Sequence, residues 1–389
     1  MTVVVVDVKN PFLAEALAEG CEVRALPTAE ITRPALLDAD AVVVRSETRV
    51  DAALLEGTRV RFVGTATIGI DHVDVPYLSN RGIGFASAPG SNANSVAEYF
   101  ATALLVMGGR LGIELRGLTL GVVGVGNVGS RVAKVGEALG MHVLLNDPPL
   151  ARLTGDPRYR PLEELMDADI LSLHVPLTRS GADATYHLWD AGRMRGMKAG
   201  SILVNTSRGG VVETQSLHRM LTQGHLRAAV LDVWEHEPGI DAALLAEALI
   251  ATPHIAGYSF DGKVNAARIM FEALSAHFAL GLRWPAPESL PPPRCPVITL
   301  RPGGRDEDIL RGFLTRCYDI EEDVARLKAT VTMETIVRGA EFRRFRAEYP
   351  VRREFSATVV RCGEPQHALC PTFAALGFRC GSATKDRHP

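Results

Sequence analysis

Residues 118–140 read "LTLGVVGVGNVGSRVAKVGEALG", and this stretch constrains the fold more than any other in the chain. An apolar run leads into Gly124, Gly126 and Gly129 at G-x-G-x-x-G spacing, and a helix-compatible stretch follows. That order predicts strand, tight turn and helix, the arrangement that presents a helix N-terminus to a pyrophosphate. Each glycine has its own physical task. Gly124 permits the turn, Gly126 lets backbone approach the phosphates, and Gly129 allows close helix packing. Asn127 and Val128 lie inside the turn, where their backbone would also face the ligand. The next apolar run ends "HVLLNDPP", which puts Asp147 twenty-three residues after Gly124. A carboxylate there accepts ribose hydroxyls and repels a 2′-phosphate, which favours NAD over NADP. The plainer reading of Asp147 is a turn residue ahead of Pro148 and Pro149, and that duty is compatible with ligation.

A turn of this kind needs a parallel sheet around it, and the chain supplies two strand–helix series. The first runs through "TVVVVDV", "AVVVRS", "RFVGTAT" and "GIGFASA". The second runs through "LTLGVVGVG", "HVLLND", "ADILSLHVP", "GSILVNTS" and "AAVLDVW". Near-continuous apolar runs of this length are what strands show when helices cover both sheet faces. A helix is expected at 94–110, with Val96, Tyr99, Phe100, Ala103, Leu104 and Met107 as one apolar stripe. Another is expected near 262–280. The proline-rich "WPAPESLPPPRCP" at 284–296 reads as a linker into a more charged C-terminal module. The expected class is α/β: two Rossmann-like parallel-sheet domains, one of them flavodoxin-like, plus a small α+β module.

The balance of 42 basic and 45 acidic residues, net −3, provides no field that would draw nucleic acid or a membrane surface. No apolar window reaches the roughly 20 residues of a membrane span. The opening "MTVVVVDVKN" lacks the parts of a signal peptide. The six cysteines, at 21, 295, 317, 362, 370 and 380, show no zinc or redox spacing, so a cytoplasmic chain with reduced thiols and no metal is expected.

Polar residues stand at the ends of successive apolar runs in the second series: Arg208 in "VNTSRGGVV", Asp232 and then Glu235 and Glu237 in "VLDVWEHEP", and His254 in "ATPHIAG". Singly, each has an ordinary alternative as a surface arginine, a solvated loop acid or a satisfied loop histidine. Ligands in open parallel sheets bind beyond the carboxyl ends of the strands, so together these side chains can converge. Oxidising a 2-hydroxy acid calls for these types. A histidine takes the hydroxyl proton, a carboxylate orients and charges it, and a guanidinium grips the substrate carboxylate bidentately.

On "GVVGVGNVGSRVA", "LHVPLT", "VNTSRGGVV", "LDVWEHEP" and "TPHIAG" the chain resembles the D-2-hydroxyacid dehydrogenases over roughly residues 1–285. The resemblance implies Arg208, Glu237 and His254 as the catalytic set. It also implies a substrate domain from 1–93 and 257–285, an NAD-binding domain from 94–256, and a dimerisation domain from 286–389. Further motifs, among them "VVVRSETRV", "APGSNANSVAEY", "AGYSFDGK" and "YPVRREF", resemble one branch of that family that acts on a phosphorylated small 2-hydroxy acid. They carry NAD contact onto Asp147, Val175, Thr206, Ser207, Arg208, Asp232 and Gly257, and substrate contact onto Ser46, Thr67 and Tyr258. Val175 stands where related enzymes often have threonine. For the phosphate, Arg45 is the first candidate and the cluster Arg343, Arg344, Arg346, Arg352 and Arg353 the second, with a solvated face or dimer contact as the plainer reading of the cluster. Two rivals remain: another D-2-hydroxyacid dehydrogenase, such as one acting on 3-phosphoglycerate, and an NAD-sensing interaction protein on the same fold.

Overall fold

In the computed structural model, which describes residues 1–300, 303–362 and 366–382, every strand pairing among the described residues is parallel. The chain divides into two compact units, 1–92 with 259–291, and 93–258 with 292–389.

The first unit holds β1 (Thr2–Asp7), β2 (Cys21–Leu26), β3 (Ala41–Val44), β4 (Phe62–Thr65) and β5 (Gly84–Ser87) in the order β2-β1-β3-β4-β5. This is the flavodoxin-like order. The valines of β1 and β3 alternate between two apolar layers. Val4, Val6, Ala41 and Val43 face one cluster with the helix Phe260–His277, and Val3, Val5, Val42 and Val44 face the other. That helix starts at Ser259, whose hydroxyl accepts from the Gly262 N–H at 2.8 Å, an N-cap that satisfies one orphan donor.

The second unit is built on β6 (Thr119–Val123), β7 (His142–Asn146), β8 (Ile170–Leu173), β9 (Ile202–Asn205), β10 (Ala228–Leu231) and β11 (Ile250–Ala251), in the order β11-β10-β9-β8-β6-β7. Beyond β7, Leu145 makes one further parallel bridge to Tyr159. The strand order reverses between β6 and β8, a switch point that opens a crevice at their carboxyl ends. The C-terminal residues of this unit add a small three-stranded sheet, β12 (Val297–Thr299), β13 (Val359–Cys362) and β14 (Arg379–Ser382), with helices at Asp306–Cys317, Ile320–Lys328 and Thr335–Ala347.

The helix expected at 94–110 spans Ala93–Leu111 and is buried nearly all round rather than along one stripe. The reason is a second covering layer. The helix Asp306–Cys317 packs on it, the Phe355 N–H donates to Glu98 Oε1 at 2.7 Å, and Ser95 Oγ donates to Glu354 Oε1 at 3.0 Å. Polar residues such as Ser95 and Glu98 are therefore interior ones with partners, which the stripe could not register. Among the thiols, Cys21, Cys295, Cys317 and Cys380 are free, whereas Cys370 is disulfide-bonded. The expectation of reduced cysteines fails at Cys370. No helix among the described residues is long and apolar enough to cross a membrane, and no group of three His, Cys, Asp or Glu among them could hold a metal ion.

Candidate functional site

The glycine turn leaves β6 directly at the switch point. Gly124 has φ +86°, and a Cβ there would lie 2.8 Å from the His174 carbonyl at the end of β8. Gly129, first residue of the helix Gly129–Ala138, approaches Gly124 so closely that a Cβ would sit 1.8 Å from the Gly124 oxygen. Around Gly126 a Cβ would meet nothing within 4 Å, and Gly126 and Asn127 are exposed. The first and third glycines thus shape the turn, while the second leaves its outer face open. The residues fit a dinucleotide pyrophosphate. Val128 stands at the helix N-cap position with no side-chain cap. The Ser130 and Arg131 N–H groups donate to the Gly126 and Val128 carbonyls, and the positive end of the helix dipole at Gly129 faces the open side of the turn, which favours an anion there.

Asp147 carries out the turn duty offered by the sequence. Its Oδ1 accepts from the Leu150 N–H at 3.0 Å, capping the helix Pro148–Thr154. Its Oδ2 accepts from the Val125 N–H at 2.8 Å, tying β7's end to the glycine turn. Each carboxylate oxygen accepts more than one bond, so capacity for ribose hydroxyls remains. Val175 flanks the same turn, with Cγ1 2.9 Å from where a Cβ of Gly124 would be.

His174, unassigned by the sequence, sits beside these groups. Its Nε2 lies 2.8 Å from Ser172 Oγ and its Nδ1 3.4 Å from Thr206 Oγ1. Burial disfavours its charge and pulls its pKa from 6.5 down to about 3. A histidine whose folded pKa is depressed binds fewer protons folded than unfolded. Stability is therefore full above pH 6.5 and falls as pH drops toward 3, by up to about 2 kcal/mol at pH 5. Urea midpoints at pH 7.5 and 5 should show this loss, and H174Q should flatten it. An unchanged slope would mean that other groups carry the acid sensitivity.

Arg208 follows β9 on a turn braced from both sides. Asn205 Oδ1 accepts from the Ser207 N–H at 3.0 Å and Ser207 Oγ at 2.7 Å, and its amide donates to the Arg208 carbonyl at 3.0 Å. Gly209 packs so tightly that a Cβ would lie 1.9 Å from the Trp234 carbonyl. The His187 N–H donates to the Gly210 carbonyl at 2.8 Å, while His187 Nε2 pairs with Glu235 Oε1 at 2.6 Å. The guanidinium donates to the Ser207 carbonyl at 2.8 Å.

Glu237 and His254 are brought into direct contact, Oε2 to Nδ1 at 2.7 Å. Oε1 of Glu237 accepts from the Trp234 N–H at 2.8 Å. Burial alone would raise the Glu237 pKa, but the charge of His254, its hydrogen bond, the Trp234 N–H and the charge of Arg346 outweigh it and hold the pKa below the usual carboxylate range. An ionised Glu237 only accepts, so Nδ1 of His254 carries a hydrogen, and in the neutral ring it is Nε2 that presents the lone pair. The His254 side chain remains 31% exposed.

The loop carrying His254 hangs on one buried acid. Asp232 Oδ1 accepts from Thr252 Oγ1 at 2.6 Å and from the Ile255 N–H at 2.8 Å, and Oδ2 accepts from the Ala256 N–H at 2.9 Å. The Asp232 carbonyl takes the His254 N–H at 2.7 Å. Thr252 has one hydroxyl hydrogen, which goes to Asp232. The 2.7 Å contact with Tyr99 must therefore be donated by the Tyr99 hydroxyl. These bonds hold His254 at φ +57°, in the left-handed region. Gly257 and Tyr258 follow on the same loop, the Tyr258 N–H donating to the Ile255 carbonyl at 2.8 Å.

The second unit thus carries Gly124, Gly126, Asn127, Val128, Asp147, Val175, Thr206, Ser207, Arg208, Asp232, Glu237, His254, Gly257 and Tyr258 on the turns and loops that follow its strands, with Gly129 opening the helix after the glycine turn. In the first unit, Arg45 and Ser46 follow β3 and Thr67 follows β4, the neighbouring strand. Arg45 Nη1 donates to the Ala66 carbonyl and to Asn10 Oδ1, each at 3.4 Å, and Thr67 Oγ1 donates to the Gly69 carbonyl at 2.8 Å. Two arginines the sequence left in a surface cluster also reach the histidine loop. Arg352 donates to the Ala256 carbonyl at 2.5 Å and the Ser95 carbonyl at 3.2 Å, and Arg346 lies over Tyr258. Both belong to the cluster the sequence offered as second candidate for the phosphate, but which of its five arginines reach this loop is decided by contacts across more than eighty residues.

Residues 101–256 match the family model described as D-isomer specific 2-hydroxyacid dehydrogenase, NAD binding domain, and residues 289–377 match a domain of unknown function. The chain is 42% identical over 386 residues to the erythronate-4-phosphate dehydrogenase of Chromohalobacter salexigens, covering 98% of this chain and 100% of the relative. It is 44% identical over 377 residues to that of Edwardsiella ictaluri, covering 96% and 98%. Among solved structures, a D-lactate dehydrogenase from Aquifex aeolicus complexed with NAD and lactic acid aligns with TM-score 0.59 and 29% identity, over 72% of this chain and 96% of its own. An NAD+-bound 3-phosphoglycerate dehydrogenase from Entamoeba histolytica aligns with TM-score 0.62 and 25% identity, over 74% and 99%.

Proposed function

Because this chain belongs to the D-isomer specific 2-hydroxyacid dehydrogenase family, among the erythronate-4-phosphate dehydrogenases, we propose that it oxidises 4-phospho-D-erythronate to (R)-3-hydroxy-2-oxo-4-phosphooxybutanoate, a step of pyridoxal 5′-phosphate synthesis. The single observation that carries the chemistry is the contact between Glu237 Oε2 and His254 Nδ1. NAD supplies the hydride acceptor when bound, held by the glycine turn, Asp147, Val175, Thr206, Ser207, Arg208, Asp232 and Gly257.

His254 Nε2 takes the proton of the substrate 2-hydroxyl and becomes imidazolium. Glu237 keeps the ring in the tautomer with Nδ1–H and stabilises the positive charge as it forms. Arg208 holds the substrate carboxylate and polarises the developing carbonyl, a task that suits a planar fork of donors. Ser46, Thr67, Tyr258 and Arg45 are the proposed substrate contacts. The protein works as a cytoplasmic homodimer joined through the C-terminal module. A pure NAD-sensing protein needs no paired Glu237 and His254, which argues against that rival.

The test is NADH formation with 4-phospho-D-erythronate and 3-phospho-D-glycerate side by side, each with NAD and NADP. A higher kcat/KM for the first substrate with NAD is the expected result. Preference for 3-phospho-D-glycerate would move the protein to another activity of the family, and preference for NADP would remove Asp147 from its discriminating role.

A further inference from the structure

The five arginines of "FRRFRAEYPVRREF" separate into different fates. Arg343 is exposed. Arg344 is paired with Glu341 and Glu348 on the outer face of its helix. Arg352 is buried: its Nη2 donates to the Ser95 and Ala256 carbonyls, its guanidinium lies over Tyr318 at 4.5 Å, and its Nε and Nη1 have no hydrogen-bond partner, but it braces the core beneath the loop rather than standing against Tyr258. Arg353 also has a partner. Arg346, in the last turn of the helix Thr335–Ala347, points the other way from Arg344. Its Cζ lies 5.5 Å from the centre of the Tyr258 ring, four residues beyond His254. Tyr258 also meets Tyr349, edge to face at 5.8 Å, and Tyr349 donates its hydroxyl to Asp323 Oδ2 at 2.8 Å. The Arg346 side chain is hydrogen-bonded to Tyr258, while its buried Nε has no hydrogen-bond partner. A guanidinium has five donors in a fixed fork, and leaving one buried and unused carries a desolvation penalty. Its positive charge also helps keep Glu237 ionised.

We propose that Arg346 is a phosphate-recognition residue: its guanidinium, set beside Tyr258, holds the terminal phosphate of the substrate whose hydroxyl faces His254. The C-terminal module then completes the substrate site of its own chain. Arg208 grips the carboxylate at one end of the substrate and Arg346 the phosphate at the other. The hydroxyl-bearing carbon between them is left to His254. The assignment deepens the functional reading above and rests on a phosphorylated substrate. Guanidinium suits the role because its fork matches phosphate oxygens two at a time while its face stacks on an aromatic ring.

The experiment compares wild type, R346Q and R346K on 4-phospho-D-erythronate and on D-erythronate. R346Q is expected to cut the preference for the phosphorylated substrate by about 10–100-fold, the loss of a charge-assisted hydrogen bond, chiefly through KM. R346K, which keeps the charge and loses the fork, should recover part of it. An equal fall on both substrates would make Arg346 a structural prop of the loop and overturn the proposal. A second readout needs no turnover: inorganic phosphate is titrated into the NADH-loaded protein and followed by NADH fluorescence. Weaker phosphate binding in R346Q supports the site, and equal binding in the two proteins overturns it. Should wild type bind phosphate through Arg346 yet leave 4-phospho-D-erythronate unoxidised, the anion site stands and the substrate reading falls.

Discussion

H254N is expected to lower kcat by about 10²–10⁴-fold, the usual contribution of a positioned general acid or base, while NADH binding stays intact. Asparagine is the informative replacement because His254 has φ +57°, and asparagine tolerates the left-handed region better than alanine does. The loop should therefore keep its shape while the imidazole is lost. NADH titration by fluorescence checks that the cofactor site survives, since none of its glycine-turn contacts involves residue 254. Steady-state rates over a range of pH then isolate the proton-transfer loss. A variant that retains more than a tenth of wild-type kcat would return His254 to an ordinary loop histidine and leave the reaction without its base.

D232N should be the most destabilising conservative change in the site, costing about 3 kcal/mol, the scale of leaving buried donors unsatisfied. The Asp232 carboxylate accepts Thr252 Oγ1 and the Ile255 N–H on one oxygen and the Ala256 N–H on the other. An amide places an N–H₂ group where one of those donors points, so donor faces donor in a site where Asp232 is 1% exposed. Urea unfolding should show a lower midpoint at unchanged slope, the mark of a folded-state effect. Turnover should fall as well, because the Asp232 backbone carbonyl and side chain together hold the residues on either side of His254. Wild-type stability together with wild-type kcat in D232N would mean that the loop is held by other bonds, with Trp234 Nε1 to the Thr252 carbonyl at 2.9 Å the first to consider.

The sheet framework was legible because it rests on local patterns. "LTLGVVGVG", "HVLLND" and "GSILVNTS" announce strands by apolar runs, and the glycine spacing marks where the chain must turn. Arg208 and His254 were legible for a related reason: each follows a strand end, where an open parallel sheet places its ligands. The last strand, only Ile250–Ala251, was visible mainly through the histidine motif after it. What escaped the sequence is held by long-range packing. The Asp232 carboxylate is committed to amides more than twenty residues away, and His174 is kept neutral only because Ser172, Thr206 and the helix Ala93–Leu111 crowd around its half-buried ring. Arg346 and Arg352 sit in a run whose composition suggests a solvated face. Only the fold distinguishes the two that turn inward from Arg344, which does not.

One apolar cluster runs without a break from Tyr99, Phe100 and Leu104 to Phe313, Tyr318 and Phe355. The C-terminal module and the helix Ala93–Leu111 therefore share one core. Cutting the chain within the proline-rich 284–296 stretch would turn the covered side of that helix into an exposed apolar patch, and the truncated protein is expected to self-associate.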